Sequence, residues 1–275
     1  MKRIHFYANA EKREVSSRMS ELESVAAGFG LSSVPAEEAE AVVVLGGDGT
    51  ILRSAHAFPG LPVLGLNFGG LGYLSSVEEG DFARALKMLA EGRYSISERT
   101  RLAVRKTGSG SAALALNDVV ATREMSGHAA ALELSVDSRA STRYLADGIV
   151  FSTPTGSTAY SLSAGGPVLM PDTGGLVITP MNPHALGVRP LVVRDSSRIV
   201  LTSLCRDSGR AEQLGVYADG ENVFMLGAGE SMEIVKADSP ARLVELADYD
   251  PYSVLSRKLG WSGTVLPAEN DKEGS

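Results

Sequence analysis

Short apolar runs alternate with helically spaced apolar residues over the first 95 positions of the chain. The runs at residues 4–8, 42–45 and 62–66 predict buried strands, because they are short and rich in aliphatic side chains. Residues 11–29 and 82–89 instead repeat apolar side chains every three or four positions, which predicts helices. Strand–helix alternation of this kind predicts a parallel sheet with both faces covered, whose ligands bind at the carboxyl ends of the strands.

From about residue 96 the pattern changes to many short apolar runs separated by turn residues, which predicts a mostly β region. Residues 106–111 read as a hairpin turn, and residues 252–259 predict one more helix. The fold class is therefore α/β + β, with an N-terminal α/β parallel-sheet domain at 1–95, a β-rich domain at 96–250 and a C-terminal segment at 251–275. The predicted strands are 102–105, 114–120, 131–136, 149–152, 177–179, 199–202, 215–218, 232–235 and 243–246.

A glycine turn with one carboxylate, residues 46–50, directly follows the predicted strand at 42–45. Backbone N–H groups in such a turn can face a phosphate, and Asp48 would then stand beside it. Because a carboxylate repels a phosphate, Asp48 needs a reason to be there, either a magnesium ion or a hydroxyl whose proton must be removed. The alternative is a tight surface turn with Asp48 exposed.

Residues 147–167 form a second cluster, with hydroxyl side chains at 152, 153, 155, 157, 158, 161 and 163. Ser157 or Thr158 would cap a following helix, and the excess of hydroxyls indicates recognition of a polar ligand. Tyr160 is positioned to stack on an aromatic base, or else is a core tyrosine. Two carboxylate turns, Asn117-Asp118 and Asp219-Gly220, each follow an apolar run and read as ligand contacts or as plain turns.

Composition narrows the class of protein. The net charge of −7 argues against a nucleic-acid groove, which needs clustered Lys and Arg. A single cysteine, Cys205, excludes an intrachain disulfide and fits a reducing, cytoplasmic setting, and with four histidines it makes a zinc site unexpected, so no protein-held metal is predicted. We expect no signal peptide, no membrane span and a disordered tail over 268–275.

The common phosphate-binding motifs are absent. No Gly-Lys dipeptide occurs, which excludes the Gly-x-x-x-x-Gly-Lys loop, and no Gly-x-Gly-x-x-Gly follows a strand. A nucleotide enzyme with this sequence must use another scheme.

With both clusters considered, the chain resembles the bacterial-type NAD kinase (ATP-NAD kinase) family over residues 42–266. The Gly-Gly-Asp-Gly motif alone is shared with the diacylglycerol kinase-like superfamily, whereas residues 147–167 are more specific, together with 115–118, 180–184, 189–192 and 258–261. The resemblance implies transfer of the ATP γ-phosphoryl group to the 2′-hydroxyl of the adenosine ribose of NAD, giving NADP, with Mg²⁺ as cofactor. It also implies that the C-terminal segment packs on the first domain and that the protein self-associates as a dimer or tetramer.

The resemblance assigns roles to particular residues. Asp48 corresponds to the general base; Asn117 and Asp118 correspond to the pair that holds adenine and ribose hydroxyls, and Asp147 to an acidic contact on the nicotinamide side. Leu145 and Glu221 depart from the residues that relatives often carry. The remaining implied ligand contacts are Gly49, Arg53, Tyr73, His128, Thr155, Thr158, Ala159, Tyr160, Ser161, Leu162 and Ser163.

Two other functions stay open at this point. A lipid kinase of the same superfamily would need an apolar acceptor pocket, against which the hydroxyl-rich cluster and the acidic composition argue. A non-catalytic nucleotide sensor would gain nothing from a carboxylate beside phosphate. The residues do not decide between ATP and polyphosphate as donor, or between NAD and NADH as acceptor.

Overall fold

The computed structural model describes residues 1–8, 13–68, 72–74, 77–124, 129–139, 142–204 and 213–260, without the side chains of 13–17. The predictions for His128, for Cys205 and for the tail over 268–275 lie outside these residues. The helices are α1 Arg13–Gly28, α2 Asp48–Ala57, α3 Phe82–Ala90, α4 Tyr160–Ser163 and α5 Pro251–Leu259. The strands are β1 Arg3–Ala8, β2 Ser32–Ser33, β3 Ala41–Leu45, β4 Val63–Asn67, β5 Val77–Glu78, β6 Tyr94–Arg99, β7 Leu102–Lys106, β8 Ala113–Ala115, β9 Asp118–Arg123, β10 Ala130–Val136, β11 Thr142–Ala146, β12 Gly148–Ser152, β13 Gly175–Met181, β14 Leu191–Arg194, β15 Ile199–Ser203, β16 Leu214–Ala218, β17 Glu221–Leu226, β18 Ser231–Lys236 and β19 Ala241–Leu246.

The chain divides into two compact units. The first consists of Met1–Ser54, Val63–Ser95 and the C-terminal part from Val244, and the second of Ala55–Pro62 and Ile96–Leu243. The division falls within α2, after Ser54.

The first unit is built on a sheet whose described strands run in the order β2-β1-β3-β4-β19-β6, with β5 beside β4. Strands β1 to β5 pair in parallel. All residues of β3 and β4 are buried, as expected of central strands covered on both faces. Their core includes Leu22 of α1 and Leu86 of α3, so the predicted α/β parallel-sheet domain is confirmed.

The second unit contains two antiparallel sheets. Their strand orders are β11-β10-β15-β18-β7-β8 and β14-β13-β12-β9-β16-β17. One core joins them: Leu132 and Ile234 of the first of these sheets belong to the same buried cluster as Phe151 and Val216 of the other. The unit is thus a β sandwich, which confirms the predicted β-rich domain.

Two predicted strands differ from the structure. The run at 114–120 is not one strand, because the chain leaves one sheet at Ala115 and enters the next at Asp118. The break arises because the backbone N–H groups of residues 116–118 bond to the Asp219 side chain instead of a strand. The run at 243–246, grouped by its pattern with the β-rich region, forms β19 in the first sheet.

No helix among the described residues is long and apolar enough to span a bilayer.

Candidate functional site

Asp48 links two glycine-rich loops of the first unit. It follows β3 and is the first residue of α2, while the second loop follows the neighbouring strand β4. The Asp48 carboxylate accepts the N–H of Tyr73 at 2.8 Å and the N–H of Leu74 at 3.1 Å. These two bonds fix the orientation of the carboxylate at the carboxyl end of the sheet, where ligands of parallel sheets bind.

The loop before α2 depends on Gly46. Its φ is +154°, and a Cβ there would lie 2.6 Å from the Thr50 hydroxyl oxygen, so only glycine fits. Gly49 is exposed. The guanidinium of Arg53, also exposed, lies 3.4 Å from the same Thr50 hydroxyl and therefore stays on the loop side of the helix.

A lysine ammonium lies over the aromatic ring of Tyr73. The ammonium of Lys258, in the last turn of α5, lies 5.7 Å from the ring centroid, within the range of a cation–π interaction. Burial, and then the negative charge of Asp48, raise the pKa of the Tyr73 hydroxyl. Lys258 therefore supplies positive charge beside the residue whose backbone holds Asp48.

In the second unit the structure brings the Asn117-Asp118 turn together with the loop after β12. The Thr153 N–H donates to the Asn117 carbonyl at 2.9 Å, and the Thr153 hydroxyl donates to the Leu116 carbonyl at 2.6 Å. Gly156 touches the turn so closely that a Cβ would lie 2.1 Å from the Asn117 carbonyl oxygen. The two clusters found in the sequence are thus one packed structure.

Asp219 holds the turn from the other side. It lies between β16 and β17 with a φ of 47°, and its side chain is only 5% exposed. The carboxylate accepts the N–H groups of Leu116 at 2.7 Å, Asn117 at 2.7 Å and Asp118 at 3.2 Å. It also bonds to the His56 ring nitrogen Nε2 at 2.8 Å. Asp219 is therefore an anchor for the turn.

Asp118 lies in an unusual electrostatic setting. Its residue is 6% exposed, and within the described ranges no hydrogen-bond donor reaches its carboxylate. Burial, and then the charge of Asp219, raise the pKa of Asp118 from 3.8 to about 7. A buried carboxyl that titrates near neutrality is typical of binding and catalytic sites.

Several of the clustered hydroxyls have structural partners. The Ser157 hydroxyl donates to the Pro154 carbonyl at 2.7 Å and accepts the Leu169 N–H at 2.9 Å. The Ser161 hydroxyl, fully buried, bonds to the Thr179 hydroxyl at 2.9 Å. The predicted capping by Ser157 or Thr158 is wrong, because Ala159 precedes α4 and no side chain caps it. Ordering of the loop explains much of the excess of hydroxyls.

Other residues of this loop differ in accessibility. Thr155 is buried, and its carbonyl accepts the Thr158 hydroxyl at 3.3 Å. Tyr160 is 50% exposed, so its ring is open to a stacking partner rather than packed in the core. Ala159 and Leu162 are half-buried and Ser163 is exposed.

Asp147 is engaged by neighbours. It forms an ion pair with Arg123 at 2.7 Å and accepts the side-chain amide of Asn182 at 2.9 Å. Leu145 is an exposed side chain at 52%, on β11. Glu221 is exposed at the start of β17.

The roles of three residues were not predicted from the sequence patterns. Asp219 gave only a turn signal, Lys258 was noted only as part of the family resemblance, and His56 gave no signal, because each acts on residues far away in the chain. Within the described ranges no group of three or more His, Cys, Asp or Glu side chains is arranged to hold a metal ion.

Comparisons with known proteins cover most of the chain. The ATP-NAD kinase N-terminal domain matches residues 1–94, and the ATP-NAD kinase C-terminal domain matches residues 116–246. The NAD kinase of Moorella thermoacetica is 38% identical over 94% of this chain and 85% of the relative, and that of Acidobacterium capsulatum is 34% identical over 95% and 99%.

Solved structures agree with these relatives. Yeast NADH kinase complexed with NADH superposes with a TM-score of 0.81 at 25% identity, covering 98% of this chain and 90% of that one. An NAD kinase from Archaeoglobus fulgidus in complex with ATP gives a TM-score of 0.74 at 25% identity, covering 94% and 98%. The match of both domain models across the chain, with relatives at this level of identity, shows that the protein belongs to the ATP-NAD kinase family.

Proposed function

We propose that this protein transfers the γ-phosphoryl group of ATP to the 2′-hydroxyl of the adenosine ribose of NAD, releasing ADP and NADP. The observation that carries the proposal is Asp48, a carboxylate held by two backbone N–H groups at the strand end of a family member. The family relatives are named NAD kinase, and the solved neighbours bind NADH and ATP.

Asp48 acts as the general base in this proposal. A ribose hydroxyl is a poor nucleophile at neutral pH, and a carboxylate within hydrogen-bond reach takes its proton as the new O–P bond forms and the bond to ADP breaks. The Tyr73 and Leu74 N–H groups hold the carboxylate in one orientation for that transfer.

NAD binding is assigned to the second unit. The unpartnered Asp118 carboxylate accepts ribose hydroxyls, Asn117 binds the adenine side, and the exposed ring of Tyr160 stacks on a base. Asp147, paired with Arg123, contacts the nicotinamide side. The family resemblance implies further ligand contacts at Gly49, Arg53, Tyr73, Thr155, Thr158, Ala159, Ser161, Leu162, Ser163, Leu145 and Glu221. It also implies His128, which lies outside the described residues.

The triphosphate needs positive charge and N–H donors. The N-terminal end of α2 offers the positive end of the helix dipole, and Lys258 offers an ammonium. When bound, Mg²⁺ would neutralise the phosphate oxygens of ATP. Because no group of metal-ligating side chains occurs within the described ranges, we expect the ion to enter with ATP and to take most of its ligands from phosphate and water.

Self-association as a dimer or tetramer and a cytoplasmic location belong to the same proposal. Leu191 and Val192, on the edge strand β14, and nearby Leu186 are exposed apolar side chains that support self-association. Light scattering of the purified protein tests the oligomeric state, and cell fractionation tests the location.

The function is tested by incubating the purified protein with NAD, ATP and Mg²⁺ and measuring NADP. We expect NADP only when all three are present, and none after a metal chelator is added. Parallel reactions with NADH as acceptor and with polyphosphate as donor define the specificity. A folded protein that binds NAD but forms no product with either donor would favour the sensor over the kinase.

A further inference from the structure

His56 lies at the end of a chain of hydrogen bonds that leads through Asp219 to the Asn117-Asp118 turn. Its Nε2 atom is 2.8 Å from the Asp219 carboxylate, whose oxygens also accept the three successive N–H groups of residues 116–118. Because an ionised carboxylate can only accept hydrogen bonds, the histidine nitrogen donates to it. Breaking this bond would leave the Asp219 carboxylate with one donor fewer and with more freedom to rotate.

The bond joins a solvent-accessible group to a buried one. The His56 side chain is 33% exposed, whereas the Asp219 side chain is 5% exposed and Asp118 is 6% exposed. Protons from solvent therefore reach His56 directly. Histidine is also the side chain that ordinarily changes charge between pH 5 and 8.

Among the described residues, the ionisable groups that interact here are the carboxylates of Asp118 and Asp219, the His56 ring and the guanidinium of Arg101. Arg101 is 3% exposed, bonds to the Ser239 carbonyl at 2.8 Å and stays cationic at all ordinary pH values. His56 is thus the solvent-accessible ionisable member of this group.

We propose that His56 is a positioning residue for NAD binding: through Asp219 it fixes the backbone of residues 116–118, and when protonated it offsets the charge of Asp219 beside the Asp118 carboxylate that accepts a ribose hydroxyl. The inference rests on the proposed function, since it takes the turn as part of the NAD site.

The electrostatic consequence has a definite sign. Burial, and then the charge of Asp219, raise the pKa of Asp118. A cationic side chain at position 56 would offset the charge of Asp219 and oppose that rise, whereas a neutral side chain would not. A higher pKa means that Asp118 carries its proton up to a higher pH, where it accepts ribose hydroxyls less well. The KM for NAD then rises on the acid side of the profile.

The test compares three substitutions with the wild type across pH 6 to 9, recording KM for NAD, kcat and NAD binding by calorimetry. His56→Gln keeps a donor but no charge, His56→Ala removes both, and His56→Arg keeps both. His5→Gln, which replaces a half-buried histidine on β1 outside the site, is the control.

We expect His56→Gln to raise the KM for NAD about threefold to tenfold near pH 7 with kcat little changed. The midpoint of the acid limb should move up by about half a pH unit to one unit. His56→Ala should do the same and more, while His56→Arg should restore the KM and move the midpoint to lower pH. His5→Gln should match the wild type.

An active wild type whose KM and midpoint are unchanged in all three His56 variants would overturn the inference. A KM for NAD that is raised in His56→Gln and in His56→Arg alike would also overturn it, since that would indicate a purely steric role. If the wild type forms no NADP, the proposed function fails instead, and calorimetric NAD binding still decides the role of His56. If His56→Gln does not fold, the test rests on His56→Arg, which should shift the midpoint of the acid limb to lower pH.

Discussion

The proposed phosphoryl transfer depends on Asp48. An asparagine there retains one acceptor for the two N–H groups of Tyr73 and Leu74 but cannot take a proton. We expect Asp48→Asn to keep the fold and NAD binding while kcat falls by about 10² or more. NADP assays with parallel NAD calorimetry check this, with Asp238→Asn, an exposed carboxylate in a turn, as the control. Near-normal kcat would rule out Asp48 as the base.

Lys258 is the second residue whose role depends on its place. Because its ammonium lies over the Tyr73 ring, we expect Lys258→Gln to raise the KM for Mg-ATP about threefold to tenfold, with the KM for NAD little changed. Lys87→Gln, which removes an exposed lysine paired loosely with Glu91 at 3.9 Å on α3, serves as the matched variant. Equal effects of Lys258→Gln and Lys87→Gln on the KM for Mg-ATP would show that only the net charge of the protein matters.

At the scale of elements, the loop after β12 and the Asn117-Asp118 turn form a single unit. A Cβ on Gly156 would meet the Asn117 backbone at 2.1 Å, so Gly156→Ala should push the two apart. We expect a loss of about 1–3 kcal/mol in the free energy of unfolding and weaker NAD binding, measured by denaturant titration and calorimetry. Gly110→Ala, where nothing lies within 4 Å of the added Cβ, should change neither.

Most of the strands that the sequence patterns missed share a position. The strands β2, β6, β11, β14 and β17 each lie at an edge of their sheet, and the two-residue β5 pairs with β4 off the main order. An edge strand is open to solvent on one side, so its sequence need not form an apolar run, as the pattern of Tyr94–Arg99 illustrates. Central strands such as β3 and β12 are buried throughout and were predicted closely.

At the scale of the whole molecule, stability should depend on the protonation of Asp118. Its pKa is about 7 in the folded protein and 3.8 ordinarily, so the folded state holds a proton that the unfolded chain has lost. The resulting stabilisation is complete below about pH 4 and disappears as the pH rises toward 7. Asp118→Asn cannot ionise and avoids this loss.

We therefore expect Asp118→Asn to gain about 2–4 kcal/mol relative to the wild type between pH 4 and pH 8, measured by denaturant unfolding at each pH. Asp172→Asn, which removes an exposed carboxylate, should follow the wild type. A constant difference between Asp118→Asn and the wild type across this range would mean that Asp118 titrates normally.

The sequence by itself determined the α/β and β-rich regions, the glycine loop with Asp48, and the family resemblance that the comparisons confirm. These features are local. The periodicity follows from which face of an element is buried, and a glycine turn is specified by consecutive residues. Only the tertiary structure decided that Asp219 holds residues 116–118, that His56 bonds to Asp219, and that Lys258 lies over Tyr73. Each of these contacts joins residues more than 100 positions apart, and no short pattern specifies such a pair.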